Sequence, residues 1–189
     1  MKNLALLCTL ALTACGTGLS TTPPPEHRPV AVACAATVEG GIACNSGGQP
    51  GASECATSST CTEGTNGRCL AGRGPCYCAY DRCTTDSDCG AGKACACSGG
   101  AGNADDSNHC VVADCRTDGD CGKGQFCAPA LDEQCGSYVG VTAYRCTTPH
   151  DRCRVDADCG NTDANSSFAY CNYSSELGYW ACTSTVCAG

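Results

Sequence analysis

Large apolar side chains are concentrated at one end of this chain. After Met1 and Lys2, an apolar run extends from Leu4 to Ala14. It is far shorter than the roughly 20 residues a bilayer-spanning helix needs. With one basic residue ahead of it and small residues behind, it reads as an export signal. Beyond residue 30 the pattern is sparse: three Leu, one Ile, two Phe and no Met. So few aliphatic groups cannot build a large core, and the chain would be marginal without a restraint on its unfolded state. The expected elements are short strands and turns with little helix. A hydrophobic share of 42% does not change this, because much of it is Cys and Ala.

The end of the apolar run carries a sharper signal. Leu12-Thr13-Ala14-Cys15 resembles the lipobox of bacterial lipoproteins. That resemblance implies a signal over 1–14, cleavage before Cys15, and a lipid on Cys15 as the new N-terminus. It also implies a membrane partner through that anchor. Gly16 stands where this family commonly has Asp for inner-membrane retention, so the expected location is the outer membrane or cell surface. Residues 15–33 follow with three consecutive prolines, Pro23 to Pro25, and read as an extended, semi-rigid tether.

Cysteine supplies the missing restraint. The chain has 24; removing Cys8 with the signal and lipidating Cys15 leaves 24 − 2 = 22, an even number suited to full pairing outside the cytoplasm. Charge narrows the partners. The net charge of −8 becomes −9 once Lys2 leaves, which argues against nucleic acid and against docking on anionic lipid by charge.

The cysteines repeat. Opening cysteines at 55, 83, 115, 153 and 187 are separated by 28, 32, 38 and 34 residues, and in each complete unit a second cysteine follows after five residues: Cys61, Cys89, Cys121, Cys159. A third (Cys69, Cys95, Cys127, Cys171) and a closing one (Cys78, Cys110, Cys146, Cys182) complete each unit. The organisation is therefore a degenerate remnant over 34–54, repeats over 55–82, 83–114 and 115–152, and a fourth with a truncated end over 153–189. The fold class is small and disulfide-rich, built of tandem loop-dominated cysteine repeats. Segments between third and closing cysteines vary most, and variable loops on a fixed frame are where binding usually resides. Most aromatics lie there. In so poor a core each is expected to cover a disulfide, while "ELGYWAC" at 176–182, with Tyr179 and Trp180, is the candidate surface for a protein partner.

Within the units, "CTTDSDCGAGKAC" (83–95), "CRTDGDCGKGQFC" (115–127) and "CRVDADCG" (from 153) share an Asp-x-Asp-Cys-Gly element. Asp86/Asp88, Asp118/Asp120 and Asp156/Asp158 could serve calcium, but each unit supplies too few of the 6–8 oxygens that ion takes. Cys76-Tyr-Cys78 and Cys95-Ala-Cys97 could serve a soft metal, but paired C-x2–4-C clusters are missing. The reading that fits best is local structure. The Asp side chains accept hydrogen bonds from amides one to three residues on and cap a turn, and the glycine supplies a positive φ. No metal and no cofactor is expected.

The stretch "CTTDSDCGAGKAC" resembles the C-x5-C-x5-C core of whey-acidic-protein (four-disulfide-core) domains, and equally the Dickkopf N-terminal cysteine-rich region. The likeness covers about a dozen residues in three of four units. "CATSSTC" at 55–61 lacks both acids, and no adjacent Cys-Cys pair occurs. The four-disulfide-core resemblance implies Cys55–Cys69 with Cys61–Cys78, Cys83–Cys95 with Cys89–Cys110, Cys115–Cys127 with Cys121–Cys146, and Cys153–Cys171 with Cys159–Cys182. Cys34, Cys44, Cys76, Cys97, Cys135 and Cys187 are left without assigned partners. The Dickkopf likeness implies an extracellular binding module.

Motifs for catalysis are missing: the chain has no G-x-S-x-G, H-E-x-x-H or phosphate loop. Asn165-Ser-Ser167 and Asn172-Tyr-Ser174 are formal glycosylation sequons. The expectation is a non-catalytic, lipid-anchored surface protein for binding, adhesion or envelope architecture, with a four-disulfide-core protease inhibitor as the alternative.

Overall fold

The computed structural model describes residues 26–34, 55–71, 76–99, 107–134, 137–160 and 167–186. The signal, Cys15, Cys44, Cys135 and Cys187 lie outside the described residues. Among those described, the fold is strand-rich and disulfide-rich with no α-helix, and no helix is long and apolar enough to cross a membrane.

Each unit folds as one antiparallel hairpin: β1 (Thr65–Ala71) with β2 (Cys76–Asp81), β3 (Lys93–Ala96) with β4 (His109–Ala113), β5 (Cys127–Gln134) with β6 (Ser137–Cys146), and β7 (Ser167–Ser174) with β8 (Tyr179–Val186). The register gives the cysteine spacing its meaning. In every hairpin the third and closing cysteines stand directly opposite: Cys69↔Cys78, Cys95↔Cys110, Cys127↔Cys146, Cys171↔Cys182. Opposed residues of an antiparallel pair put their side chains on one face. They do not bond to each other. Both point to the loop that precedes the hairpin, which carries the first two cysteines around a single 3-10 turn: Ser58–Thr60, Asp86–Cys89, Asp118–Asp120 or Asp156–Cys159.

Two disulfides then fasten loop to hairpin. The bonds are Cys55–Cys69 and Cys61–Cys78, Cys83–Cys95 and Cys89–Cys110, Cys115–Cys127 and Cys121–Cys146, and Cys153–Cys171 and Cys159–Cys182. These coincide with the eight pairs that the four-disulfide-core resemblance implies. A further bond among the described residues, Cys34–Cys97, joins the N-terminal segment to the second module. Cys34, placed by its spacing in a remnant of an earlier repeat, belongs structurally to module two.

Modules two to four are joined by clusters of mostly small side chains. A two-rung parallel pairing, Val112↔Ala143 and Ala113↔Tyr144, merges the middle hairpins into one sheet of order β3-β4-β6-β5. Ala94, Ala96, Val111, Cys115, Cys127, Val141 and Tyr144 pack at that joint, and Ala128, Ala130, Ala143, Cys153, Cys171 and Trp180 pack between modules three and four. Module one holds a cluster of cysteines with Tyr80.

Candidate functional site: the aspartate turns and what docks on them

The six aspartates of the repeat do two different jobs. The second of each pair reaches backwards. Asp88 Oδ2 accepts the Thr84 and Thr85 amides, each at 2.8 Å. Asp120 Oδ2 takes the Arg116 and Thr117 amides, each at 2.8 Å, and Asp158 Oδ2 takes those of Arg154 and Val155 at 2.7 and 3.1 Å. This is the reach-back half of a capping box, an acid at N3 satisfying donors at the helix entry. The expected direction, towards amides further along the chain, is reversed, because the free donors of a turn lie at its N-terminal end. Hydrogen bonds from the Thr84 and Thr85 amides and the Thr84 hydroxyl pull the Asp88 carboxyl down to about 2. Those from Arg116 and Thr117 lower Asp120 in the same way.

The first aspartate of each pair reaches across to the hairpin. Asp86 Oδ1 accepts the Cys95 amide at 2.9 Å, Asp118 Oδ1 that of Cys127 at 2.8 Å, and Asp156 Oδ1 that of Cys171 at 2.9 Å. In each case the donor is the third cysteine, so the acid aligns that residue for its bond to the opening cysteine. Module one does the same without a charge: Ser58 Oγ accepts the Cys69 amide at 3.1 Å. The following glycine has positive φ at Gly90 (76°) and Gly160 (65°). In module three that role moves to Gly124 (74°), and Gly122 instead donates its amide to Gln125 Oε1 at 2.9 Å.

The same three aspartates also receive a residue from outside their module. Arg28 Nη2 bridges both oxygens of Asp86 at 2.8 and 2.9 Å, with the two side chains only 5% and 8% exposed. Its guanidinium lies 4.3 Å from the Tyr144 ring centre of module three, a cation–π contact in a desolvated setting. The His27 Nδ1–H donates to Asp118 Oδ2 at 2.6 Å, and its ring packs edge-on against Phe126. The Tyr138 hydroxyl of module three donates to Asp156 Oδ1 at 2.6 Å. Burial, then that hydrogen bond and the Asp156 charge, push the Tyr138 phenol well above its ordinary range.

Residues 26–34 are therefore a strap. Arg28 N donates to Cys127 O, Asp118 N to Arg28 O, and Cys34 N to Thr84 O at 2.9, 2.8 and 2.7 Å. The last eight residues of the segment assigned to a tether on composition are built into the joint of modules two and three. Pro23 to Pro25 lie outside the described residues, and the partners of Arg28 and His27, 58 and 91 residues away, were not legible in them.

Further residues were missed, though a signal for them was present. The tripeptide Asp-Arg-Cys occurs at 81–83 and at 151–153. Asp81 is buried and accepts Arg68 Nη2 at 3.0 Å, Asn66 Nδ2 at 2.9 Å and the Asn108 amide at 2.9 Å. Burial alone would raise its carboxyl, but the hydrogen bonds from Arg68, Asn108 and Asn66, with the Arg68 charge, hold it below the usual range. Asp151 takes the Thr148 and Trp180 amides at 2.7 and 3.1 Å. Asn108 and Trp180 each lie two residues before a closing cysteine, and their carbonyls accept the Arg82 and Arg152 amides at 2.9 and 2.8 Å. The repeated acid thus ties the entry of one module to its closing strand.

Trp180, read from the sequence as a candidate surface residue, is buried. It is 7% exposed and packs with the Cys153–Cys171 pair and Ala128, edge-on to Tyr173 at 6.0 Å. An indole is the largest apolar body available to fill a joint otherwise lined by alanine, cysteine and Tyr173. Tyr179 is half-buried, with the Arg152 guanidinium 5.5 Å from its ring centre. A cleft of about 240 Å³ lies beside Trp180, walled by Pro129, Leu131, Tyr138 and Arg154 with Glu26 at one side. Asn172 of the second sequon is committed to the fold: its side-chain amide exchanges two hydrogen bonds with the Leu131 backbone at 3.1 and 2.5 Å.

Four sulfur clusters have ligand-like spacing: Cys55/Cys61/Cys78, Cys83/Cys89/Cys95, Cys115/Cys121/Cys146 and Cys153/Cys159/Cys171. Every one of these sulfurs is in a disulfide, so none is a thiolate able to bind a metal. No protein-family model, curated protein or solved structure matches this chain.

Proposed function

We propose that this chain is a lipid-anchored, non-catalytic surface protein of the cell envelope, whose tandem modules are a rigid frame for binding or adhesion. The supporting observation is the division of labour within each module. The same turn, two disulfides and third-cysteine cap recur four times, while the segments between third and closing cysteines differ in length and composition. A frame that spends its acids and cysteines on itself leaves chemistry for recognition to those segments.

The strap bears on the alternative reading. A protease inhibitor needs an exposed, extended loop ahead of its core, and here the strap ahead of the modules buries its arginine, Arg28, at 4% exposure. In the anchored form the strap also fixes the standoff. From Cys15 to Glu26 is 26 − 15 = 11 residues, which reach at most roughly 40 Å at 3.3–3.6 Å each. The joint of modules two and three is then leashed to the membrane within that reach.

Two measurements test the proposal. Radiolabelled fatty acid should enter the wild type and not Cys15→Ala, and the variant should be released, since stable anchoring takes two or more acyl chains. Cross-linking on intact cells followed by affinity capture should then recover one envelope component with the wild type. Unlabelled, soluble wild-type protein would sink the anchor. Tight stoichiometric inhibition of a serine protease would replace binding with the inhibitor reading.

A further inference from the structure

Module two packs the sulfurs of three disulfides together. Cys34, Cys83 and Cys95 form one buried cluster, flanked by Cys89, Cys97 and Cys110. The Cys34 sulfur lies 3.5 Å from the Cys95 sulfur, although the two belong to different disulfides, Cys34–Cys97 and Cys83–Cys95. This is van der Waals contact between adjacent bonds. Accessibility is graded along the path: Cys97 is half-buried just after β3, Cys34 is 8% exposed, Cys83 4% and Cys95 fully buried.

We propose that Cys34–Cys97 is the entry point of a disulfide relay, by which an external thiol re-ties the strap and opens the frame of module two. Thiol–disulfide exchange proceeds by thiolate attack on one sulfur of the bond, and access decides which sulfur is attacked. An external thiolate attacks Cys97 Sγ, in the more exposed residue of the pair. A mixed disulfide forms there, the Cys34–Cys97 bond breaks, and Cys34 leaves with the electron pair. A thiolate in apolar surroundings is destabilised, and this one already touches Cys95 Sγ. It attacks that sulfur; Cys34–Cys95 forms, Cys83–Cys95 breaks, and Cys83 takes the pair and then a proton from solvent. One external thiol is consumed, two disulfides are exchanged for two, and one thiol remains, at Cys83. The strap stays covalently held, now to β3 directly. What opens is the first-to-third bond across the Asp86 turn, at the boundary with module one. In module one Cys76, also disulfide-bonded, is buried with Cys55, Cys61 and Cys69; the relay is placed in module two because there the sulfurs of two different bonds, Cys34 and Cys95, stand 3.5 Å apart.

The test uses the mature full-length chain with limiting reduced glutathione at neutral pH, quenched with iodoacetamide at intervals and mapped by non-reducing peptide analysis. The expected products are a Cys34–Cys95 peptide, alkylated Cys83 and glutathionylated Cys97. Cys83 should appear roughly tenfold or more faster than Cys115, since its attacking thiolate is held at high effective concentration. Alkylated Cys34 with Cys83–Cys95 intact would overturn the relay, as would release of Cys83 and Cys115 at equal rates. Cys34→Ser should abolish the difference; the wild-type comparison of Cys83 with Cys115 decides the matter even if that variant folds poorly.

Discussion

Modules one and two share a frame and differ in what it can hold. In module one the turn is Ser58–Thr60, and the Ser58 hydroxyl alone accepts the third cysteine's amide, while Thr60 turns its own hydroxyl back to Thr57 O at 2.7 Å. In module two Asp86 accepts the equivalent amide and Arg28 as well. A neutral oxygen is thus sufficient to set the staple. The carboxylate adds a second acceptor and a charge, and these dock a neighbour. The repeated acid is less a requirement of the disulfide pattern than a socket between pieces of chain.

The largest effect should erase the difference. With so small an aliphatic core, both modules depend on bonds that close short loops, such as those separated by 12 and 14 residues at Cys83–Cys95 and Cys55–Cys69, each worth roughly 3 kcal/mol in the chain-entropy model. Full reduction should abolish near-UV dichroism without heat or denaturant in all modules together. Retention of a native-like spectrum would mean the apolar joints hold the fold by themselves.

Next in size is the socket. Asp86→Ala leaves the buried Arg28 guanidinium unpaired and should cost about 3–5 kcal/mol, whereas losing both partners together costs much less. A denaturation cycle of Asp86→Ala, Arg28→Met and the double variant should give a large coupling energy. In module one, Ser58→Ala removes a single neutral acceptor and should cost only about 1 kcal/mol. Equal losses from the two alanine variants would break the comparison.

Acid separates the modules more gently. The Asp88 carboxyl is at about 2 in the folded protein, against roughly 3.9 when unfolded. A depressed carboxyl contributes stability that is present above its unfolded value and is lost as pH falls through the folded one. The contribution of Asp88 should therefore fade between about pH 4 and pH 2, and that of Asp120, lowered in the same direction, should fade on the acid side as well. Amide protection at Thr84, Thr85, Arg116 and Thr117 should decline there, corrected for intrinsic exchange, while that of Cys69, held by a serine, should not. The smallest effect belongs to Ser58→Asp, which supplies a charged acceptor but no docking partner and should change stability by no more than about 1 kcal/mol.

The frame was legible because the cysteine spacing is a geometric statement. A cross-strand pair and a one-turn loop reproduce it in every module, with hairpins of very different length between. What was not legible depended on distance. No local signal says that Arg28 leaves a proline-rich stretch to pair with Asp86, or that His27 meets Asp118. Trp180 sits in a variable segment of polar residues and resembles a surface aromatic. The alanines of β5 and β6, with the Cys153–Cys171 bond, make it core. The paired acids were seen, but their hydrogen bonds run backwards and across rather than forwards, because a turn's unsatisfied amides precede it.

The central claim is that the first acid caps and docks as separable functions, and Asp86→Ser tests it most directly by giving module two the residue of module one. Native-state hydrogen exchange should find the Cys95 amide still protected, since a hydroxyl suffices to accept it. The Arg28 and Cys34 amides, which hold the strap on Cys127 and Thr84, should lose protection. Loss at Cys95 together with the strap, or a strap as protected as in the wild type, would contradict the account.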